Sequence, residues 1–367
     1  MTEQLETILA QIGNRSEKLT GTVSAPIYMS TAYRHERIGQ TTGYDYTRTA
    51  NPTREIVEEA IARLEHGDRG FACSSGMAAI QTVLSLFEEG DHILVSRDLY
   101  GGSYRLFEKG WKKWGVVFDY VDGDAKEFSA KIRPQTKAIF IETPTNPLMI
   151  EYDIRSFAKV AKNNALLLIV DNTFYTPLLQ QPIKEGADIV IHSATKYLGG
   201  HNDVLAGLIV TKGYQLSEVM AKYHNAIGAT LGSFDSWLLM RGMKTLALRM
   251  KKHEENAREL VCYLQEHEAV TSVLYPGKGG MLSFRIQQEN WVERFLGRLS
   301  LITFAESLGG VESFITYPAT QTHSDIPEKT RLEMGICNRL LRFSVGIENV
   351  SDLKNDLSQA FTYAMNE

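Results

Sequence analysis

The amino-acid sequence predicts an α/β protein, a mostly parallel sheet with helices on both faces, followed by a smaller α+β domain. Three observations carry this reading. Between Pro52 and Thr211, short apolar runs of strand length alternate with helix-length segments, the pattern of strands buried on both faces and joined by crossover helices. After about residue 230 the alternation stops, and Phe234 to Glu266 reads as one or two long helices. The chain has 367 residues, too many for one small core and enough for a large domain plus a smaller one.

Taken in order, residues 1–45 mix a short helical stretch with turns and read as an N-terminal arm. The large domain is expected over 46–230 and the α+β domain over 231–367. Asn51-Pro52-Thr53 predicts a helix start, because proline suits the first turn and Glu55, Glu58 and Glu59 favour the positive helix end. His92 to Val95, Ala138 to Glu142, Leu166 to Asp171, Ile189 to His192 and Gly207 to Thr211 read as buried strands, with helices over Met77 to Phe87 and Ile154 to Asn163. Strands near Leu282 to Arg285 and Leu341 to Ser344 belong to the smaller domain.

Composition narrows the function classes. Hydrophobic residues make up 43% and charged residues 23%, an ordinary globular balance. The net charge of −5, from 39 basic and 44 acidic side chains, argues against a nucleic-acid binder. The run Trp111-Lys112-Lys113-Trp114 reads as a decorated helix face. The start, Met1-Thr2-Glu3-Gln4-Leu5-Glu6, has acids where a secretory leader carries Lys or Arg, and no apolar run reaches membrane-spanning length. The three cysteines, Cys73, Cys262 and Cys337, are far apart and predict free thiols in a reducing cytoplasm. The nine histidines form no metal-type spacing, so no metal site is expected.

In open α/β sheets, ligands bind beyond the carboxyl ends of the strands. Four such stretches stand out. Ser74-Ser75-Gly76-Met77 precedes an Ala-rich helix, whose free N–H groups favour an anion such as phosphate; alone, it equally describes a serine cap with no ligand. Glu142-Thr143-Pro144-Thr145-Asn146-Pro147 is either a plain rigid turn or a stiff holder for Asn146. Asp171 closes the run Leu166 to Val170; a carboxylate there needs a cation or hydrogen bonds, and a helix cap or metal ligand fits as well. Finally, Ile189-Val190-Ile191 runs into His192-Ser193-Ala194-Thr195-Lys196-Tyr197, with Gly199 and Gly200 behind. A lone lysine after a strand is usually a surface residue, but partial desolvation there lowers a lysine pKa and suits a Schiff base with an aldehyde cofactor. Jointly, a phosphate-type helix start, an acid at a strand end and a lysine preceded by two hydroxyls match pyridoxal phosphate, whose protonated pyridine is an electron sink.

The long motifs then point to a family. Gly43-Tyr44-Asp45-Tyr46-Thr47-Arg48 with Asn51-Pro52-Thr53-Arg54, Ser75-Gly76-Met77-Ala78-Ala79, Asp98-Leu99-Tyr100-Gly101-Gly102-Ser103-Tyr104, Glu142 to Pro147, Val170-Asp171-Asn172-Thr173-Phe174, His192 to Gly200, Phe234 to Lys244, Glu306 to Ser313 and Leu341 to Glu348 cover nearly the whole chain. Together they resemble the cysteine/methionine-metabolism enzymes of fold type I. That resemblance implies a mostly parallel seven-stranded sheet. It implies that Lys196 binds pyridoxal phosphate as the internal aldimine, that Asp171 pairs with the pyridine nitrogen and that Tyr100 stacks on the ring. Gly76 and Met77 N–H groups, with Ser193 and Thr195, would hold the phosphate. Tyr46 and Arg48 would reach it from a neighbouring subunit, so a homo-oligomer, a dimer of dimers, is expected. Arg342 would grip the substrate carboxylate, with Asn146 and Ser307 supporting cofactor and substrate.

Within the family the motifs are most similar to the cystathionine γ-synthases, some of which also act as O-acetylhomoserine thiolyases. The implied reaction is γ-replacement on O-acylhomoserine by cysteine to give cystathionine, or by sulfide to give homocysteine. Glu306 beside Ser307, and Asp45 beside Tyr46, resemble the γ-synthase pattern; Glu306 reads the cysteine amine or simply forms a salt bridge. A cystathionine γ-lyase is the alternative. A non-catalytic regulatory homologue that binds the cofactor is the alternative of another class, and the intact Lys196, Asp171 and Arg342 argue against it. The sequence departs from many relatives in one place: only Gly277-Lys278 separate Pro276 from Gly279, where they carry a longer segment.

Overall fold

The computed structural model describes residues 3–366; Met1 and Thr2 of the expected arm and leader reading, and Glu367 at the far end, lie outside them. Seven strands form one sheet: β1 (Arg69–Cys73), β2 (His92–Ser96), β3 (Val117–Val121), β4 (Thr136–Glu142), β5 (Leu167–Asp171), β6 (Ile189–Ser193) and β7 (Gly207–Thr211), in the order β1-β7-β6-β5-β4-β2-β3. Five more, β8 (Val270–Leu274), β9 (Met281–Ile286), β10 (Thr303–Phe304), β11 (Phe314–Thr316) and β12 (Leu340–Ser344), form a second sheet in the order β10-β11-β12-β9-β8.

The apolar runs marked five strands of the first sheet to within a few residues. Periodicity missed β1 and β3, the two edge strands. β3 reads Val-Phe-Asp-Tyr-Val with mixed burial, and β1 is interrupted by Gly70. β5 and β6 run parallel, as do β2 and β3. β7 departs from the parallel expectation, pairing antiparallel with both β6 and β1. The segment between β6 and β7 contains no helix, and a parallel return needs a crossover.

The helix starts follow local chemistry. The helix Pro52–Glu65 opens on Asn51, whose Oδ1 accepts from Thr53 N at 3.0 Å and Arg54 N at 3.3 Å. The helix expected over Met77 to Phe87 spans Gly76–Leu84 instead, since Leu86 and Phe87 bond to the third residue back and tighten its end. The Phe234 to Glu266 stretch is two helices, Ser233–Lys244 and Leu246–Glu266. Among the described residues no helix is long and apolar enough to cross a membrane.

By contacts the chain divides into two compact units. The first is the chain up to Asp91, Lys137–Ile139 and Ile154–Ala247; the second is His92–Thr136, Phe140–Asp153 and the chain from Leu248 onward. In the first, Val57, Ile61 and Leu64 of the helix Pro52–Glu65 are buried, as is every residue of β7. Its sheet and the turn before the helix Gly76–Leu84 meet backbone to backbone at Gly207, where an added Cβ would stand 2.0 Å from Ser75 O. In the second, Leu260 and Leu264 join Phe284, Phe295, Phe343 and Phe361 in one core, where Phe295 and Phe361 stack at 4.4 Å. Each such side chain contributes about 1.5–3 kcal/mol by leaving water.

Gly207→Ala is expected to cost about 1–3 kcal/mol through overpacking against the Ser75 backbone. Guanidinium denaturation checks this, with a lower midpoint than wild type and a shift absent from Gly297→Ala, where nothing lies within 4 Å of the added Cβ.

Candidate active site

Four of the predicted residues meet at one place in the first unit. Ser75 caps the helix Gly76–Leu84, its Oγ accepting from Ala78 N at 3.0 Å. That leaves the Gly76 and Met77 N–H groups at the helix start with no intrahelical acceptor. Ser193, at the end of β6, lies directly against this turn: a Cβ on Gly76 would stand 2.8 Å from Ser193 Cβ and 2.9 Å from its Oγ. Glycine at 76 is thus what keeps two amides and a hydroxyl open to one small anion. Lys196 follows on the same turn, its N donating to Ser193 O at 3.1 Å, and is partly buried. Thr195 is held differently. Its Oγ1 accepts from Ala206 N at 3.0 Å and sits 3.2 Å from Ala206 O, so its hydroxyl is already engaged with the start of β7.

Asp171 ends β5, one strand over. Its Oδ1 accepts from Thr173 N at 3.0 Å and Thr173 Oγ1 at 2.5 Å, and Thr173 Oγ1 in turn accepts from Ser193 N at 2.8 Å. The two strand ends are therefore locked through one threonine. Burial pushes the Asp171 carboxyl above its usual range, outweighing the Thr173 bonds and the field of His192. A buried carboxylate in that condition is stabilised by a cation brought to it.

A second buried network lies nearby. Glu65 Oε1 accepts from Asn172 Nδ2 at 2.9 Å and lies 2.7 Å from His192 Nε2, with Glu65 and His192 both fully buried. It clamps the residues next to Asp171 and Ser193 in sequence to the helix Pro52–Glu65. Sequence reasoning gave Glu65 no role; helix periodicity marks it only as a core-facing position.

Tyr46 and Arg48 are exposed, in the stretch just before the helix Pro52–Glu65. Arg48 Nη1 donates to Asn225 O at 2.7 Å and Oδ1 at 2.8 Å, and its guanidinium lies 5.6 Å over the Tyr46 ring. Asp45 pairs with His35 at 2.8 Å.

The second unit gathers the remaining predicted residues around Arg342 on β12, which is 2% exposed. Arg342 Nη1 donates to Asn146 Oδ1 at 2.9 Å; Nη2 donates to Ser307 O at 3.0 Å and Thr316 Oγ1 at 2.9 Å. Tyr100 is anchored by its backbone N, which donates to Glu142 Oε2 at 2.8 Å. Burial first, then the charge of Glu306, raises the Tyr100 phenol pKa. Glu306 itself is exposed and Ser307 half-buried. Glu142, Thr173 and Thr316 were unassigned in the sequence reading; the first two sit inside recognised motifs, whereas Thr316 depends on the β11–β12 pairing, which no local pattern reveals.

The first unit thus offers groups that could hold a phosphorylated pyridine aldehyde: backbone amides suited to a dianion, a lysine suited to the aldehyde and a buried carboxyl suited to the ring nitrogen. Among the described residues no group of three or more His, Cys, Asp or Glu could hold a metal ion.

Comparison with known proteins gives the same picture. Residues 6–362 match the family model described as Cys/Met metabolism PLP-dependent enzyme. The chain is 66% identical to a Bacillus subtilis protein named cystathionine gamma-synthase/O-acetylhomoserine (thiol)-lyase, covering 98% of this chain and 97% of the relative. It is 60% identical to a Haemophilus influenzae cystathionine gamma-synthase, over 98% of this chain and 99% of that one, and 49% identical to a Bacillus subtilis cystathionine gamma-lyase, over 97% and 98%. Among solved structures, cystathionine gamma synthase from Xanthomonas oryzae pv. oryzae, in complex with aminoacrylate and cysteine, superposes with a TM-score of 0.97 at 37% identity, covering 100% of both chains.

Thr173→Val removes a hydrogen bond that lowers the Asp171 pKa, so that pKa moves further up and the carboxylate holds less charge for a ring nitrogen. The apoprotein is expected to bind pyridoxal phosphate about tenfold more weakly, consistent with the loss of a bond to a charged group. A fluorescence titration at pH 7 reads this, and unchanged affinity would refute the role given to Thr173.

Proposed function

The chain belongs to the Cys/Met metabolism PLP-dependent enzymes, and on that premise we propose that it catalyses γ-replacement on O-acylhomoserine. Cysteine is the incoming thiol and cystathionine the product; sulfide in its place gives homocysteine. Pyridoxal 5'-phosphate, the family's cofactor, supplies an electron sink for negative charge at substrate carbon.

The residues take the following parts. Gly76 and Met77 N–H groups and the Ser193 hydroxyl receive the phosphate; Thr195 joins them by giving up its 3.2 Å contact to Ala206 O. Asp171, whose carboxyl pKa is raised by burial, would face the protonated ring nitrogen. Tyr100 covers the ring face. Arg342, with Asn146 beside it, grips the substrate carboxylate, and Ser307 borders the same grip. Glu306 and Asp45 read the incoming amino acid. Lys196 Nζ would hold the cofactor aldehyde until the substrate amine takes its place; the freed amine would then take the proton from substrate Cα and carry protons at Cβ. The acyloxy group leaves Cγ as a carboxylate, and the thiol sulfur bonds to Cγ as its own proton departs. Tyr46 and Arg48 act on the neighbouring subunit's phosphate in a dimer of dimers, and the enzyme works in the cytoplasm.

The choice of synthase over lyase rests on one observation, the higher identity to the two γ-synthases than to the γ-lyase. Initial rates with O-acetylhomoserine or O-succinylhomoserine plus cysteine, then plus sulfide, are set against cystathionine alone. We expect synthesis to dominate; fast cystathionine breakdown without synthesis would make the protein a γ-lyase. Separately, borohydride reduction followed by digestion should leave the cofactor mass on the peptide carrying Lys196, and Lys196→Ala should abolish that adduct. A protein that stays colourless with added cofactor and yields no adduct would overturn the whole reading, whereas one that takes up the cofactor but turns over none of these substrates would be the non-catalytic homologue.

A further inference from the structure

The segment 317–327 follows β11, whose last residue Thr316 accepts from Arg342. It packs over the chain on which Asn146 and Tyr100 sit, and His323 is the side chain it inserts there. His323 is fully buried. Its Nε2 lies 3.1 Å from Asn146 O and 3.3 Å from Leu99 O, while Nδ1 lies 2.8 Å from Thr322 Oγ1. Carbonyl oxygens only accept, so Nε2 carries the ring proton and donates to both; Nδ1 accepts the Thr322 hydroxyl. Burial, and next the charge of Arg342, push the imidazole pKa down to about 4, keeping that neutral form.

The segment is braced by one internal bond and held at two further points. His323 N donates to Pro318 O at 3.0 Å. Thr322 O abuts the backbone at Gly101, where a Cβ would stand 1.9 Å away. Asp325 pairs with Arg105 at 2.5 Å and Lys109 at 3.1 Å. Asn146 is thereby fixed at both of its polar ends, its side chain by Arg342 and its carbonyl by His323. Leu99 O, one residue before Tyr100, is fixed by the same imidazole.

We propose that His323 is a positioning residue for the carboxylate grip, holding Asn146 and the Leu99–Tyr100 turn where Arg342 needs them. This rests on the reading of Arg342 as the carboxylate ligand.

Glycine and methylamine separate the two ideas, since both offer an amine to the bound cofactor but only glycine offers a carboxylate. In holo His323→Leu, the dissociation constant of glycine, read from the cofactor's absorbance, should rise about tenfold, with methylamine unchanged within about twofold. The KM for O-acetylhomoserine should rise with it while kcat stays near wild type. His323→Gln, which keeps a donor toward the two carbonyls, should fall between. Should the leucine variant fail to fold, His323→Gln and Thr322→Val carry the same comparison. Equal weakening of both probes, or glycine binding equal to wild type, would overturn the proposal. Arg342→Lys tests the premise: if it keeps the preference for glycine, the carboxylate reading fails; if it loses that preference while His323→Leu keeps it, only the role of His323 fails.

Discussion

The first unit is organised around the burial of one carboxylate. Asp171 sits at a strand end where water is largely excluded, and its own protein partners are a single threonine hydroxyl and amide. Withdrawing a carboxylate from water costs several kcal/mol unless a cation compensates. The surrounding structure keeps that position rather than relieving it. Thr173 ties Asp171 to β6, and Glu65 clamps Asn172 and His192 from the adjoining helix. The fold thus keeps a buried carboxyl at a strand end where a cation would stabilise its charged form.

The second unit solves the opposite problem. Arg342 is a buried cation, and its guanidinium is met by neutral oxygens, the Asn146 amide, the Ser307 carbonyl and the Thr316 hydroxyl. Neutral acceptors orient an arginine without cancelling its charge, as the proposed grip on a carboxylate requires. Asparagine at 146 performs this where aspartate would form an ion pair and silence the group. The Pro144 and Pro147 that flank it stiffen the loop, and His323 fixes its backbone.

What the sequence made legible follows from how local each feature is. The strand runs, the cap at Asn51 and the Ser-x-Thr-Lys turn are written in neighbouring residues, so Lys196, Asp171 and Gly76 could be singled out from pattern alone. The edge strand β3 was not legible, because half exposure blurs its apolar run. Neither was the antiparallel direction of β7, which depends on what fills the space after Lys196. The pairing of Thr316 with Arg342, of Glu65 with His192 and of His323 with Asn146 joins residues far apart in the chain. No spacing announces such pairs, and only the folded registers bring them together.

The glycine at 76 has a consequence for how the protein senses its surroundings. The anion seat proposed at the helix start would consist of main-chain amides and the Ser193 hydroxyl, none of which ionises in the physiological range. The seat therefore has no acid–base response of its own, and its hold follows the ligand's ionisation, whose second phosphate step falls near pH 6. Acidification would weaken this one contact by changing the phosphate, leaving the amides and the serine hydroxyl as they were.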